Sequence, residues 1–350
     1  MMARFYNRII ILSFIVIALP LSFFVFWLEP FSGDLTRIGG YRENEYGWNQ
    51  PQKRFIQTHY EVGESIKDYN KYYDIVTIGD SFSVNKEQSW QNYLALSSNL
   101  SIITFHRRAV SISELLKSKQ FHETPPRIFI FEVVEHGIQT ALHDISLISV
   151  GRKNINRLTP KMQFKEVAYS KYMEAFKRNL NSSLSMDTAL HYIKTYLKQR
   201  FGSRVKALPK FVENKKTLFS NSNKESILFY HLDNLKNSIS LQEWSIIEKR
   251  FALAQGLIQQ NGKTLFLAMI APDKRTAYDY LLMNEGGKYK AAIDMMPGND
   301  KIHWIDTLSE LRNMIDRNVT DVYLPNDIHW GYKGYEAAFI ATAKKIHNSK

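Results

Sequence analysis

Five short runs alternate along this chain with stretches of helical period, and that alternation limits the fold more than any other feature. The runs lie at 74–78, 101–105, 127–134, 264–270 and 301–305. The first four are rich in Ile, Val, Leu and Phe, as strands buried on both faces must be. Segments 89–100, 112–116, 241–260 and 334–347 carry helical spacing. Trp90, Tyr93, Leu94 and Leu96 mark the buried side of the first, and Ser240 with Asn261-Gly262 supplies a cap and a stop for the third. Strands alternating with helices predict an α/β fold: a mainly parallel sheet covered on both faces, in three layers.

The chain has 350 residues and no cysteine, which excludes disulfides, thiolate metal sites and a cysteine nucleophile. Its net charge of +12 is local. Residues 152–216 hold 16 Lys/Arg against 4 Asp/Glu, an excess of 12 that equals that of the whole chain. The segment 160–200 has helical spacing with many Lys and Tyr, and 201–226 is basic and polar. A helical insertion at about 150–225, outside the sheet, is therefore expected. Its charge suits either a solvated face or a surface turned toward anionic lipid or an anionic polymer.

The N-terminus carries a run of 20 uncharged residues from Ile9 to Leu28, enough to cross a bilayer core of about 30 Å. Arg4 and Arg8 precede it and Glu29 follows. The positive-inside rule keeps 1–8 cytoplasmic, makes 9–28 a transmembrane signal anchor and exports the rest. Phe23, Phe24, Phe26 and Trp27 would form the interfacial belt. The alternative, a cleaved signal peptide, lacks a small-x-small cleavage site after the run. Residues 29–70 read as a juxtamembrane segment with Tyr46 and Trp48 as anchors, and 71–350 as the catalytic domain. A tethered, exported domain without a binding motif argues against nucleic acid as a partner.

Two strings carry the chemistry. Gly79-Asp80-Ser81-Phe82 follows the first apolar run, which puts Ser81 where an open α/β sheet binds ligands. Asp327-Ile328-His329-Trp330 stands before the last helix. A serine hydroxyl needs a base within hydrogen-bond reach, and that base needs an orienting group. Ser81, His329 and Asp327 fill these roles as a candidate triad. Gly79 permits close backbone approach, the Ser81 amide at a helix N-terminus would hold an oxyanion, and Asp80 is expected to brace the turn. A metal reading of Asp327 and His329 needs a third ligand, and no cluster at ligand spacing stands near them. Neither metal nor cofactor is expected, and His122, His136, His143 and His303 read as ordinary residues.

The pair of strings resembles the SGNH (GDSL-like) hydrolase superfamily, whose first block carries the serine and whose last carries Asp and His. Asp327-Ile328-His329-Trp330 with Gly334 is similar to the Asp-x-His-Trp signature of alginate O-acetylation proteins of the AlgJ/AlgX type. Residues 271–278, Ala-Pro-Asp-Lys-Arg-Thr-Ala-Tyr, resemble their Pro-x-Lys…Tyr block, and 130–135 the strand that ends in Glu-Arg. The likeness covers about 72–140 and 230–347. It implies a flavodoxin-like, SGNH-type sheet and a polysaccharide O-acetyltransferase in which Ser81 accepts the acetyl group. It also implies a multi-pass membrane acyl carrier as partner and a periplasmic domain anchored in the inner membrane. Lys274 and Tyr278 enter as substrate candidates. Asn85, or an amide near 108–111 including Ser111, enters as an oxyanion candidate, because the Gly and Asn blocks of the superfamily are missing. The Asp-x-His block also follows the serine here, and His136 stands where the arginine is expected. An esterase with the same triad and a non-catalytic glycan-binding subunit are the competing readings.

Overall fold

Strand Ile128–Val134 (β5) is buried at every position and divides the protein into its two cores. Ile128 and Ile130 join one apolar cluster with Trp90, Tyr93, Leu311 and Tyr335. Phe129, Phe131 and Val133 join the other with Trp244, Ile247 and Phe251. The two-residue period of a strand sends alternate side chains to opposite faces, so helices must cover both. Each such side chain contributes about 1.5–3 kcal/mol on burial.

The architecture is that of a computed structural model that describes residues 2–18, 32–145, 163–178, 206–212, 217–283 and 289–349, with isolated positions between 190 and 201. The central sheet has six strands: Glu61–Gly63 (β2), Ile75–Gly79 (β3), Ile102–His106 (β4), β5, Leu265–Ala271 (β9) and Trp304–Ile305 (β10). Their order is β10-β9-β5-β3-β4-β2 and every pairing is parallel. Helices Trp90–Ser98, Thr307–Asp316 and Tyr332–Asn348 contribute buried residues to one cluster, and Ile112–Lys117 and Leu241–Gln259 to the other. The three-layer α/β expectation is met. The 19-residue helix Leu241–Gln259 starts at a Ser240–Glu243 capping box, and the turn after it holds Gly262 at φ +68. That left-handed conformation favours glycine.

The segment read as juxtamembrane is built into the domain. β2 forms an edge of the sheet, and Gln52–Phe55 (β1) pairs antiparallel with Met173–Phe176 (β6). Tyr46 and Trp48 are buried, not free anchors. Glu43 is also buried; it accepts hydrogen bonds from Ser32, Gly33 and Asn326 and pairs with Arg178 at 2.8 Å.

The described parts of 150–225 stay outside the central sheet, but not as helices alone. β6 interrupts the helical spacing of 160–200, and Ala207–Phe211 (β7) pairs antiparallel with Ser226–Tyr230 (β8). Pairing with β1 and the packing of Phe176 on Trp48, ring centroids 5.6 Å apart, override a weak local helical preference.

Helix Met2–Ser13 runs into a π-helical turn, Phe14–Ala18, with every described side chain from Tyr6 to Ile17 exposed. Residues 19–28 of the expected anchor lie outside the described residues. Among the described residues no helix is long and apolar enough to cross a membrane.

Candidate active site

Ser81 sits just past the C-terminal end of β3, where the strand order reverses: β4 flanks β3 on one side and β5 on the other. Open α/β sheets form their binding crevice at such a point. The turn is held by Asp80, as expected. Its backbone carbonyl accepts from Ser83 and Val84 N–H, its Oδ1 from Phe82 N–H at 3.2 Å, and its Oδ2 from Val134 N–H at 2.6 Å. No helix begins at this turn; the next starts at Trp90, capped by Ser89. The Ser81 amide therefore has no helix dipole behind it. Among the described residues it donates to no protein acceptor, and Ser81 itself is exposed.

The Asp327–Trp330 loop brings its side chains to the serine. His329 Nε2 lies 2.8 Å from Ser81 Oγ, and His329 Nδ1 lies 2.7 Å from Asp327 Oδ1. Asp327 Oδ1 also accepts from the His329 N–H at 3.1 Å, and its Oδ2 from the Asp34 N–H at 3.3 Å. Phe82 packs on the His329 ring at 5.0 Å, with the buried Trp330 behind it. Burial pulls the imidazole pKa down, but the hydrogen bond and charge of Asp327, helped by Asp34 and Asp80, outweigh it and leave His329 raised. Burial likewise pushes Asp327 up, and its bonds to His329 more than reverse this, holding it below the usual carboxylate range. A line of serine, imidazole and carboxylate at these distances can take the serine proton onto His329 Nε2 with the tautomer fixed by Asp327.

The other sequence candidates fall in different places. Gly79 is a packing requirement: a Cβ there would lie 2.6 Å from Glu132 Oε2 and from Ser83 Oγ. Glu132 accepts from Asp80 N–H at 2.9 Å and from Ser83 Oγ at 2.8 Å beneath the turn. Burial, then the neighbouring Asp80, pushes its carboxyl well above the ordinary range. Asn85 bonds within its own turn to Gln88, and Ser111 forms a capping box with Glu114; neither lines the cleft at Ser81. Tyr278 is a core residue against Phe219 and Tyr323. Lys274 is buried, and its Nζ donates to the carbonyls of Leu324, Pro325 and Asp327 at 2.9, 2.8 and 3.4 Å. It holds the Asp327 loop and does not line the cleft at Ser81. Burial brings its pKa down to about 7 against the pull of Asp327, Asp233 and Asp321.

The cleft at Ser81 has a volume of about 460 Å³ and is walled by Asp34, His106, Arg107, Arg108, His136 and Tyr230 among others. His136, read from the sequence as ordinary, is bonded through Nδ1 to Asp273. Burial lowers its pKa, and the Asp273 hydrogen bond and charge, with Asp233 and Asp80, raise it on balance to about 9. The available signal was that Glu135-His136 and Pro272-Asp273 each follow a strand, and those strands are neighbours in the sheet. Asp34 was missed because it acts across 293 positions of sequence.

Fold and site together define an α/β protein with a serine, a histidine and an aspartate in one hydrogen-bonded line at the sheet's C-terminal edge. No family model, no curated protein and no solved structure matches the chain.

Proposed function

We propose that this protein is a serine-dependent O-acyltransferase of SGNH type that moves acetyl groups onto hydroxyls of an envelope or secreted polysaccharide. The Ser81–His329–Asp327 line, with contacts of 2.8 and 2.7 Å, carries the reading. In the first half, Ser81 Oγ attacks the acyl carbonyl while its proton passes to His329 Nε2. The Ser81 N–H faces the developing oxyanion. Collapse expels the donor's oxygen, which takes the proton back from His329. In the second half, His329 removes the proton of a sugar hydroxyl, whose oxygen attacks the acyl-enzyme. The tetrahedral intermediate then releases Ser81, reprotonated by His329.

The exposed apolar helix before residue 18 supports a membrane-anchored, exported enzyme that draws acetyl from a multi-pass membrane carrier. The openness of Ser81 to solvent favours one second reading, a carbohydrate acetyl esterase in which water resolves the same intermediate.

The test uses the full chain in detergent with a chromogenic acetyl ester, with and without an oligosaccharide acceptor. Acetylated sugar formed by the wild type and absent with Ser81→Ala supports transfer, whereas acetate release indifferent to acceptor supports the esterase. Equal turnover by wild type and Ser81→Ala would refute the triad.

A further inference from the structure

Buried carboxylates need cations or hydrogen-bond donors around them, and two beside the cleft are short of both. Asp233 and Asp273 are 2% and 3% exposed. Among the described residues, the Asp233 carboxylate accepts from one donor, the Arg275 N–H at 3.4 Å. Asp273 Oδ1 meets His136, while its Oδ2 has no hydrogen-bond partner among the described residues. Asp273 stands at the N-cap of helix Lys274–Tyr278, yet its side chain caps nothing.

The nearby cations are committed elsewhere. Lys236 pairs with Glu135 at 2.8 Å, Lys274 holds the carbonyls of 324–327, and Arg275 lies 3.6 Å from Asp279. His136 is thus the one cationic side chain in direct contact with this acid pair among the described residues. One donor atom from each of His136, Asp233 and Asp273 lies within 4.8 Å of the others. Ligand atoms at about 2.0–2.2 Å from one tetrahedral ion stand about 3.3–3.6 Å apart, so closing the three side chains by about 1 Å would seat it.

We infer that His136, Asp233 and Asp273 form a binding site for a divalent transition-metal ion of the Zn²⁺ class. One imidazole and two carboxylates suit zinc or manganese better than magnesium or calcium. Metal entry displaces the proton held between His136 and Asp273 and releases it to solvent. His136 is also the member that lines the Ser81 cleft, so an oxygen arriving from the cleft, water or a sugar hydroxyl, completes the coordination. A second grouping, Asp34, Asp327 and His329, is equally close-set, but its members already serve the triad and Arg37.

The site does not depend on the acyltransfer reading, and its test is separate. The full chain, without a histidine tag and in detergent, is stripped with EDTA, titrated with ZnCl₂ by calorimetry, then desalted for metal analysis. About one zinc per chain is expected, with a rise in Tm. Asp273→Asn and His136→Gln should each weaken binding at least tenfold and abolish the Tm rise, while His329→Ala binds zinc like the wild type. Melting of each variant in EDTA checks folding, and the two ligand variants serve as substitutes if one fails to fold. No stoichiometric zinc, zinc lost with His329→Ala, or zinc unaffected by both ligand variants would overturn the site.

Discussion

Replacing Asp327 with Asn probes the candidate triad at its most informative atom. Asp327 Oδ1 accepts from His329 Nδ1 at 2.7 Å, and both side chains are largely shielded, 17% and 25% exposed. A charge-assisted hydrogen bond of this kind contributes about 1.5–3 kcal/mol. At 1.36 kcal/mol per pKa unit, its loss lowers the imidazolium pKa by about 1–2 units. The sign follows from the chemistry. His329 must be neutral to take the Ser81 proton, so wild-type kcat/KM rises with pH through the His329 pKa, which sits above the ordinary imidazole value. In the variant that limb moves to lower pH. The plateau falls as well, because an Asn amide turned toward Nδ1 donates where the carboxylate accepted. The proton then sits on Nε2, which no longer accepts from serine, and the loss is about 10³–10⁴-fold. The assay is kcat/KM for a chromogenic acetyl ester from pH 5 to 9, with Ser81→Ala as background. A variant within threefold of wild type, or one whose limb moves up, would refute the assignment.

Gly79→Ala places a methyl 2.6 Å from Glu132 Oε2 and Ser83 Oγ. It should cost about 1–3 kcal/mol, read as a lower urea midpoint together with slower ester turnover from a displaced Ser81. Lys274→Met removes the ammonium that holds three carbonyls of the 324–327 loop. Each abandoned buried acceptor costs about 1–3 kcal/mol, so kcat should fall at least tenfold with KM little changed, and Lys274→Arg should recover part of it. Unaltered kcat in Lys274→Met would show that the loop holds itself.

Parallel strands at the expected places, the helices at 90–98, 112–117, 241–259 and 332–348 and the serine turn were legible in the sequence, because burial on both faces leaves a local signature in β3, β4, β5 and β9; the helix Thr307–Asp316 was not legible. The edge strand β2 was not legible. Its three residues, Glu61–Gly63, carry no apolar run and are ordered by pairing with β4. The pair β1–β6 was hidden because it joins segments far apart in the chain, and in β7–β8 the strand β7 is interrupted by Pro209 and Lys210 and is ordered by pairing with β8.

The sequence alone determined which residues have the chemistry for a triad: a serine after a buried strand, and a histidine beside a carboxylate before the last helix. Only the tertiary structure decided that Ser81 and His329, 248 positions apart, stand 2.8 Å from each other. It also decided that Lys274 supports a loop, that Asn85 bonds within its own turn and Ser111 caps a helix, and that His136 stands beside Asp233 and Asp273. Residue type and short-range period are fixed by local sterics and burial, which the chain records position by position. Distances between strand ends depend on the order in which the strands join the sheet, and no short stretch of sequence records that order.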